Sequence, residues 1–142
     1  MNARIDVITL GVRDLERAVA FYRDGLGLPT QGIIGTEFPR TERDAAGAVA
    51  FFEMQGGLIL SLYPRVELAK DAGLPEAPPS SIEVSLGYFV ESQSDVDDLL
   101  ARAFAAGASR IEPPRQRPWG IYSGYFRDPD GHLWEVIWRP QA

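Results

Sequence analysis

Alternation of apolar and polar positions predicts that the chain begins with a strand at residues 4–12. The alternation changes directly afterwards to a helical period, and Asp14 is the predicted N-cap of that helix. The apolar stripe of the helix comprises Leu15, Ala18, Val19, Tyr22 and Leu26. Strands are then predicted at residues 31–35, 48–54 and 58–63. The first half of the chain therefore has the order strand, helix, three strands.

A proline-rich segment separates this half from the rest of the chain. We expect unit one at about residues 4–65, a linker at 66–81 with a short helix around Val66–Ala72, and unit two at about residues 82–139. The length of 142 residues fits a single domain that spans 1–142.

Unit two repeats the order of unit one. It begins with a predicted strand at 82–91, and Ser94 is the predicted N-cap of the helix that follows, which ends at Gly107. The apolar stripe of this helix comprises Val96, Leu99, Leu100, Ala103 and Phe104. Further strands are predicted at residues 109–112, 121–127 and 132–138. The segments 51–65 and 125–139 also align, with a phenylalanine, a glycine and an arginine identical, which indicates an internal repeat.

The doubled unit, which ends in DPDGHLWEV, resembles the vicinal oxygen chelate superfamily, to which glyoxalase I, extradiol dioxygenases and bleomycin-resistance proteins belong. The most specific parts of the resemblance are residues 9–28 and 123–138. It implies an α+β fold in which two βαβββ units form a curled, barrel-like mixed sheet around a concave cavity, with the helices on the convex faces. It also implies a homodimer.

The resemblance further implies metal-ligand positions on the first and last strands of each unit. Carried over residue by residue, these positions fall on Val7, Ser61, Ser85 and Glu135. Valine has no donor atom, and neutral serine hydroxyls are poor ligands for a divalent cation. We therefore expect no cofactor. The alternative is a divalent metal held by an atypical set of ligands.

Strand alternation predicts which side chains line the ligand cavity, because they must share a sheet face with Glu135. The predicted ligand-contacting set on this face is Val7, Thr9, Ile59, Ser61, Tyr63, Ser85, Gly87, Phe89 and Glu135. A mostly apolar lining with a few hydroxyls is typical of a small-molecule site. Glu135 is the predicted polar anchor and catalytic candidate, hydrogen-bonded to Ser61, Ser85 or Thr9. Alternatively, the face fills a closed barrel and Glu135 is structural.

The segment WGIYSGY contains Trp119, Tyr122 and Tyr125. We predict that Trp119 and Tyr122 contact the ligand. Alternatively, all three aromatic side chains pack in the core or at its edge. A basic cluster lies in the same region and is expected on a solvated face, with binding of an anionic ligand as the alternative. It comprises Arg115, Arg117 and Arg127. His132 is expected to make a structural hydrogen bond rather than to catalyse.

Composition narrows the function classes. The chain has no cysteine and a single histidine, which excludes thiolate chemistry and multi-histidine metal sites within one chain. Lys plus Arg number 14 against 20 Asp plus Glu, so the net charge of −6 argues against nucleic-acid binding. No apolar run reaches the ~18 residues of a membrane span, and the first residues do not resemble a signal peptide. We expect a soluble cytoplasmic protein that does not bind membranes.

These observations favour a metal-independent small-molecule-binding protein of the bleomycin-resistance type, with an aromatic or amphipathic ligand. The alternative is a glyoxalase- or dioxygenase-like enzyme, acting as a lyase, isomerase or oxygenase. In that case Glu135 is either a general base that removes a proton next to a carbonyl or part of an atypical metal site.

Overall fold

The structure is a computed structural model that describes residues 1–80 and 84–141. The chain divides into two compact units, Met1–Pro78 and Pro79–Ala142, and each is described by itself. The first two residues of the strand predicted at 82–91 lie outside the described residues.

Unit one begins with strand β1, and the predicted helix α1 follows. Its strands are β1 (Val7–Val12), β2 (Ile33–Ile34), β3 (Val49–Glu53) and β4 (Ile59–Pro64). Helix α1 spans Leu15–Val19 and continues as π-helical turns over Ala20–Gly25, and helix α2 spans Arg65–Ala72. Asp14 caps α1 as predicted, because its carboxylate accepts a hydrogen bond from the backbone N–H of Arg17 at 3.1 Å.

The sheet of unit one has the order β1–β4–β3–β2, with β1 parallel to β4 and the other pairs antiparallel. One face packs against α1, where the ring of Tyr22 lies 6.1 Å from that of Phe52 in an edge-to-face contact. The buried strand residues on this face are Leu10, Val12, Ala50, Phe52, Leu60 and Leu62. The opposite face carries the alternate residues, which include Val7, Thr9, Ile59 and Ser61.

Unit two contains helix α3 and five short or medium strands among the residues that the structure describes. They are β5 (Ser85–Phe89), α3 (Gln93–Ala105), β6 (Ser109–Arg110), β7 (Arg115–Gln116), β8 (Tyr122–Arg127) and β9 (Leu133–Trp138). The predicted N-cap of α3 was wrong by two residues. Ser92, not Ser94, has the extended backbone of a cap, and it accepts a hydrogen bond from the N–H of Asp95 at 3.1 Å.

The sheet of unit two has the order β5–β9–β8–β6, with β5 parallel to β9, and β7 pairs with the same strand β8 as β6. Strand β7 was not predicted. The segment between β6 and β7 contains Pro113 and Pro114, which have no backbone N–H to donate, so two short strands occupy this edge position.

The core of unit two lies between this sheet and α3. Phe126 and Trp134 stack with ring centroids 6.0 Å apart, and Val96 and Leu100 of the helix are buried. Gly124 permits α3 to approach the sheet closely, because a Cβ atom at this position would lie 2.6 Å from Cδ1 of Leu100. Tyr122 lies on this helix-facing side, where its hydroxyl donates to Asp97 of α3 at 2.7 Å.

The strand registers of the two units are equivalent. In unit one Thr9 lies opposite Ser61, and in unit two Gly87 lies opposite Glu135. On the other side of the last strand, Phe51 pairs with Ser61, and Tyr125 pairs with Glu135 in the same way. The internal alignment of residues 51–65 with 125–139 therefore corresponds to a repeated sheet topology, as expected.

Candidate functional site

Glu135 lies at the centre of the open face of the unit-two sheet. Gly87 is its neighbour on β5 and Tyr125 is its neighbour on β8. A Cβ atom built on Gly87 would contact only Cδ1 of Ile137, at 3.4 Å. The space on the Gly87 side of the Glu135 carboxylate is therefore open. Ser85 and Phe89, which were also predicted on this face, lie there, and so do Leu133 and Ile137.

The carboxylate of Glu135 is held by Ser123, a buried residue two positions before Tyr125 on β8. The Ser123 hydroxyl donates to Oε2 of Glu135 at 2.7 Å and accepts a hydrogen bond from Nε of Arg117 at 2.6 Å. Arg117 also donates from Nη2 to the Ser123 carbonyl at 3.3 Å. One hydroxyl therefore connects a guanidinium to a carboxylate, and it uses its donor and an acceptor position at once.

Tyr125 completes this polar group. Burial raises the pKa of its phenol first, and the charge of Glu135 and a hydrogen bond to Glu135 raise it further, while the charge of Arg117 lowers it. The Arg117 guanidinium lies 5.3 Å from the centre of the Tyr125 ring. Tyr125 is therefore a neutral proton donor beside Glu135 at physiological pH. We call Arg117, Ser123, Tyr125 and Glu135 the anchor cluster.

Two of these four residues were missed or misassigned from the sequence. Arg117 was expected on a solvated face, but only 16% of its side chain is exposed. The predicted hydrogen-bond partners of Glu135 were Ser61, Ser85 or Thr9, and Ser123 was not among them. It pairs with Ile137, which makes it a diagonal neighbour of Glu135 on the same face. The signal that locates it is the hairpin register between β8 and β9.

The turn between β8 and β9 fixes that register. The buried Asp128 accepts hydrogen bonds from the N–H groups of Asp130 and His132, at 2.9 and 2.8 Å. Its second oxygen lies 2.7 Å from Nδ1 of His132. Gly131 has a φ of 90°, which favours glycine. The prediction that His132 makes a structural hydrogen bond is confirmed.

The predicted unit-one residues share the open face of their own sheet. Val7 is 48% exposed, whereas Ser61 is buried. Thr9 lies opposite Ser61, and Ile59 lies opposite Val7. Tyr63 belongs to the same face, and its hydroxyl donates to the carbonyl oxygen of Ala46. A cavity of about 410 Å³ lies beside this face at the edge of the sheet, between the Pro29–Gly32 segment and Phe51.

Two predicted aromatic residues lie apart from these sets. Tyr122 is on the helix-facing side of its sheet, as described above. Trp119 is 90% exposed in the turn between β7 and β8, and its φ of 71° is unusual for a residue other than glycine. Their assignment as ligand-contacting residues stays a prediction.

The residues present do not fit the metal ligands that the resemblance implies. Val7 offers no donor atom, and Ser61 and Ser85 carry neutral hydroxyls, which are poor ligands for a divalent cation. Within the described residues, no group of three or more His, Cys, Asp or Glu side chains is placed to hold a metal ion.

Comparison with known proteins identifies the family. The model of the glyoxalase/bleomycin resistance protein/dioxygenase superfamily matches residues 4–136. The chain belongs to this superfamily. The α+β fold with two repeated units was correctly predicted, and the helices of the described residues include none that is long and apolar enough to cross a membrane.

Individual relatives agree with this assignment. A glyoxalase-related enzyme from Fulvimarina pelagi has 29% identity and a TM-score of 0.80, over 98% of this chain and 90% of that one. A lactoylglutathione lyase from Agrobacterium tumefaciens has 26% identity and a TM-score of 0.66, over 97% and 95%. A virulence protein of Salmonella typhimurium is 28% identical, over 94% of this chain and 82% of its own length.

Proposed function

We propose that this member of the superfamily is a metal-independent small-molecule-binding protein and that Glu135 is the polar anchor of its site. The observation that carries the proposal is the anchor cluster. A carboxylate fixed by Ser123 and flanked by Tyr125 lies among Leu133, Ile137 and Gly87 on an open sheet face. An apolar face with a few fixed polar groups is the usual composition of a small-molecule site.

The pre-organisation of Glu135 supports binding. Its hydrogen bond from Ser123 fixes the carboxylate before a ligand arrives, so less conformational entropy is lost on binding. The open space beside Gly87 leaves room for a ligand group that donates a hydrogen bond to the carboxylate. The poor fit of Val7 and the serines to a divalent cation supports a site that acts without metal.

A ligand screen by thermal shift tests this proposal. Compounds that bind the native site raise the melting temperature of the wild type. We expect Glu135→Gln to fold nearly as well and to bind such compounds at least about tenfold more weakly, or about 1.4 kcal/mol. Glu91→Gln removes an exposed carboxylate and is the matched control. A large fall in melting temperature with unchanged affinity would leave Glu135 as a structural residue and contradict the proposal.

The second candidate function is proton transfer without metal. The hydrogen bond between Tyr125 and Glu135, with the raised pKa of Tyr125, pairs a carboxylate base with a protonated phenol. Similarity to a glyoxalase-related enzyme and a lactoylglutathione lyase favours testing this chemistry on lactoylglutathione. Turnover that is lost in both Glu135→Gln and Tyr125→Phe would support this alternative over binding alone.

A further inference from the structure

The cavity beside the unit-one sheet has a charged lining of one sign. Its volume is about 410 Å³, and its lining comprises the Pro29–Gly32 segment, Ile34, Phe51 and Glu53. Among the residues that the structure describes, the carboxylate of Glu53 is the one charged side chain in this lining, and no Lys or Arg belongs to it. A cavity of this size accommodates a small organic molecule.

The Glu53 carboxylate is available to such a molecule. Within the described part of the chain, its side chain forms neither an ion pair nor a hydrogen bond. Arg4 precedes β1 at the same end of the sheet, because Val7 and Glu53 both pair with Ile59. The Arg4 guanidinium is already paired with the carboxylate of Asp6, at 3.0 Å. The negative charge of Glu53 is therefore left for a ligand to compensate.

An exposed apolar surface lies beside this charge. Phe51 is two positions before Glu53 on β3, so the two side chains project from the same sheet face about 7 Å apart. Phe51 is 41% exposed, and Ile34 of the same cavity is 42% exposed. The face of an aromatic ring attracts cations. Phe51 and Glu53 thus favour the same charge in a ligand.

The acidic pocket beside Phe89 in unit two differs in this respect. Arg102 belongs to its lining, and the Arg139 guanidinium lies 4.0 Å from the centre of the Phe89 ring. That ring already has a cation of the chain over its face. No Lys or Arg of the described residues lies over the ring of Phe51 in this way.

The wall of the unit-one cavity is fixed by its own hydrogen bonds. The Thr30 hydroxyl donates to the carbonyl oxygen of Phe51 at 2.6 Å and accepts from the N–H of Gly32 at 3.1 Å. Its hydrogen is therefore already used. A wall that is ordered before the ligand arrives reduces the entropy lost on binding.

We infer that this cavity binds an amphipathic organic cation. An ammonium or guanidinium group of the ligand lies between the Glu53 carboxylate and the Phe51 ring, and its apolar part lies on Ile34 and Pro29. The net charge of −6 raises the local concentration of such cations. The inference goes beyond the proposed function, because it assigns a site on the unit-one sheet and makes no use of Glu135.

Three compounds with the same apolar part test the charge. At about pH 7 phenylbutylamine is a cation, phenylbutanol is neutral and phenylbutyrate is an anion. We expect the amine to bind about threefold to fivefold more tightly than the alcohol, because an exposed ion pair contributes modestly in water, and the anion to bind most weakly. The difference should shrink as sodium chloride is raised. No binding of the amine, or equal affinity of the amine and the alcohol, would overturn the inference.

Two-dimensional amide NMR measures these affinities and locates the site. The amide signals of Gly32 and Phe51 should shift on addition of the amine. Shifts confined to residues 84–141 would place the ligand on unit two and would overturn the inference.

Variants identify the groups that recognise the cation. Glu53→Gln should weaken binding of the amine about threefold or more and leave the affinity for the alcohol unchanged. Phe51→Leu keeps an apolar side chain but removes the ring, so it should weaken binding of the amine more than binding of the alcohol. Glu76→Gln makes the same change in net charge as Glu53→Gln at an exposed residue of unit one and is the matched control. Wild-type affinity for the amine in Glu53→Gln would overturn the inference. None of these variants alters Glu135 or its partners, so the outcome is independent of the test of the proposed function.

Discussion

Ser123 donates its hydroxyl hydrogen to Glu135 at 2.7 Å, from a diagonal position on the neighbouring strand. The same oxygen accepts from Arg117, so the charge of Glu135 is satisfied through a residue with no charge of its own. This arrangement stabilises a carboxylate on a largely apolar face, where an unpartnered charge would be costly.

Ser123→Ala should therefore destabilise the protein. The substitution removes two side-chain hydrogen bonds and leaves both Arg117 and Glu135 without their shared partner, which predicts a loss of about 1–3 kcal/mol in the free energy of unfolding. Urea denaturation measures it. Ser109→Ala, at an exposed serine on β6, is the matched control. A loss for Ser123→Ala no greater than that of the control would show that the bridge contributes nothing to stability.

Gly124 and Gly87 form a matched pair that tests the packing of the two sheet faces. In Gly124→Ala the new methyl group meets Leu100 and the backbone of Pro114, whose Cα would lie 3.2 Å away, so we expect a loss of about 1–3 kcal/mol. In Gly87→Ala it meets only Cδ1 of Ile137, at 3.4 Å. We expect Gly87→Ala to change the melting temperature little, and equal destabilisation by both would contradict the assignment of core and open faces.

Much of the fold could be predicted because local patterns agree with the tertiary structure. Alternation placed Leu60 and Leu62 in the core, and the Asp14 cap and the Asp128–Gly131 turn depend on neighbouring residues alone. Strand β7 and the Ser123 bridge could not be predicted in this way. They depend on pairing with β8, which brings together residues that no local periodicity connects.

Arg117 illustrates the same limit for the candidate site. Arg115 and Gln116 precede it, and a basic stretch usually indicates a solvated surface. The edge strand instead directs its guanidinium towards Ser123 and over the ring of Tyr125. Glu135 could be chosen from the sequence as the candidate anchor. The residues that hold its carboxylate could be identified only from the register of β8 and β9.

The raised pKa of Tyr125 predicts that the folded protein loses stability in alkaline solution. Its pKa is raised in the folded protein by burial and by Glu135, so the folded state holds the proton more tightly than the unfolded state. This contribution is complete below the unfolded pKa of about 10 and is lost as the pH rises through the folded value.

We expect Tyr125→Phe to reduce the fall in unfolding free energy above about pH 10, as measured by urea denaturation at several pH values. Tyr63 and Tyr122, whose pKa values are also raised, retain their contributions in this variant. Tyr88→Phe, at an exposed tyrosine, is the control. An alkaline decline identical to that of the wild type would show that folding does not raise the pKa of Tyr125.

A homodimer is the predicted assembly. Within its own sheet β5 is an edge strand, and its Tyr88 and Phe89 are 51% and 56% exposed. Exposed apolar edges of this kind are commonly covered by a second subunit. Sedimentation at micromolar concentration should give about twice the chain mass of 15.7 kDa. A single species at 15.7 kDa would contradict the prediction.

The metal content of the purified protein tests the central claim most directly. Protein prepared without chelator should contain well under one equivalent of zinc, nickel, manganese or iron per chain by elemental analysis, because Val7 has no donor atom and the hydroxyls of Ser61 and Ser85 are poor ligands for a divalent cation. A stoichiometric metal that disappears in Glu135→Gln would contradict metal-independent binding and would make Glu135 a ligand of that metal.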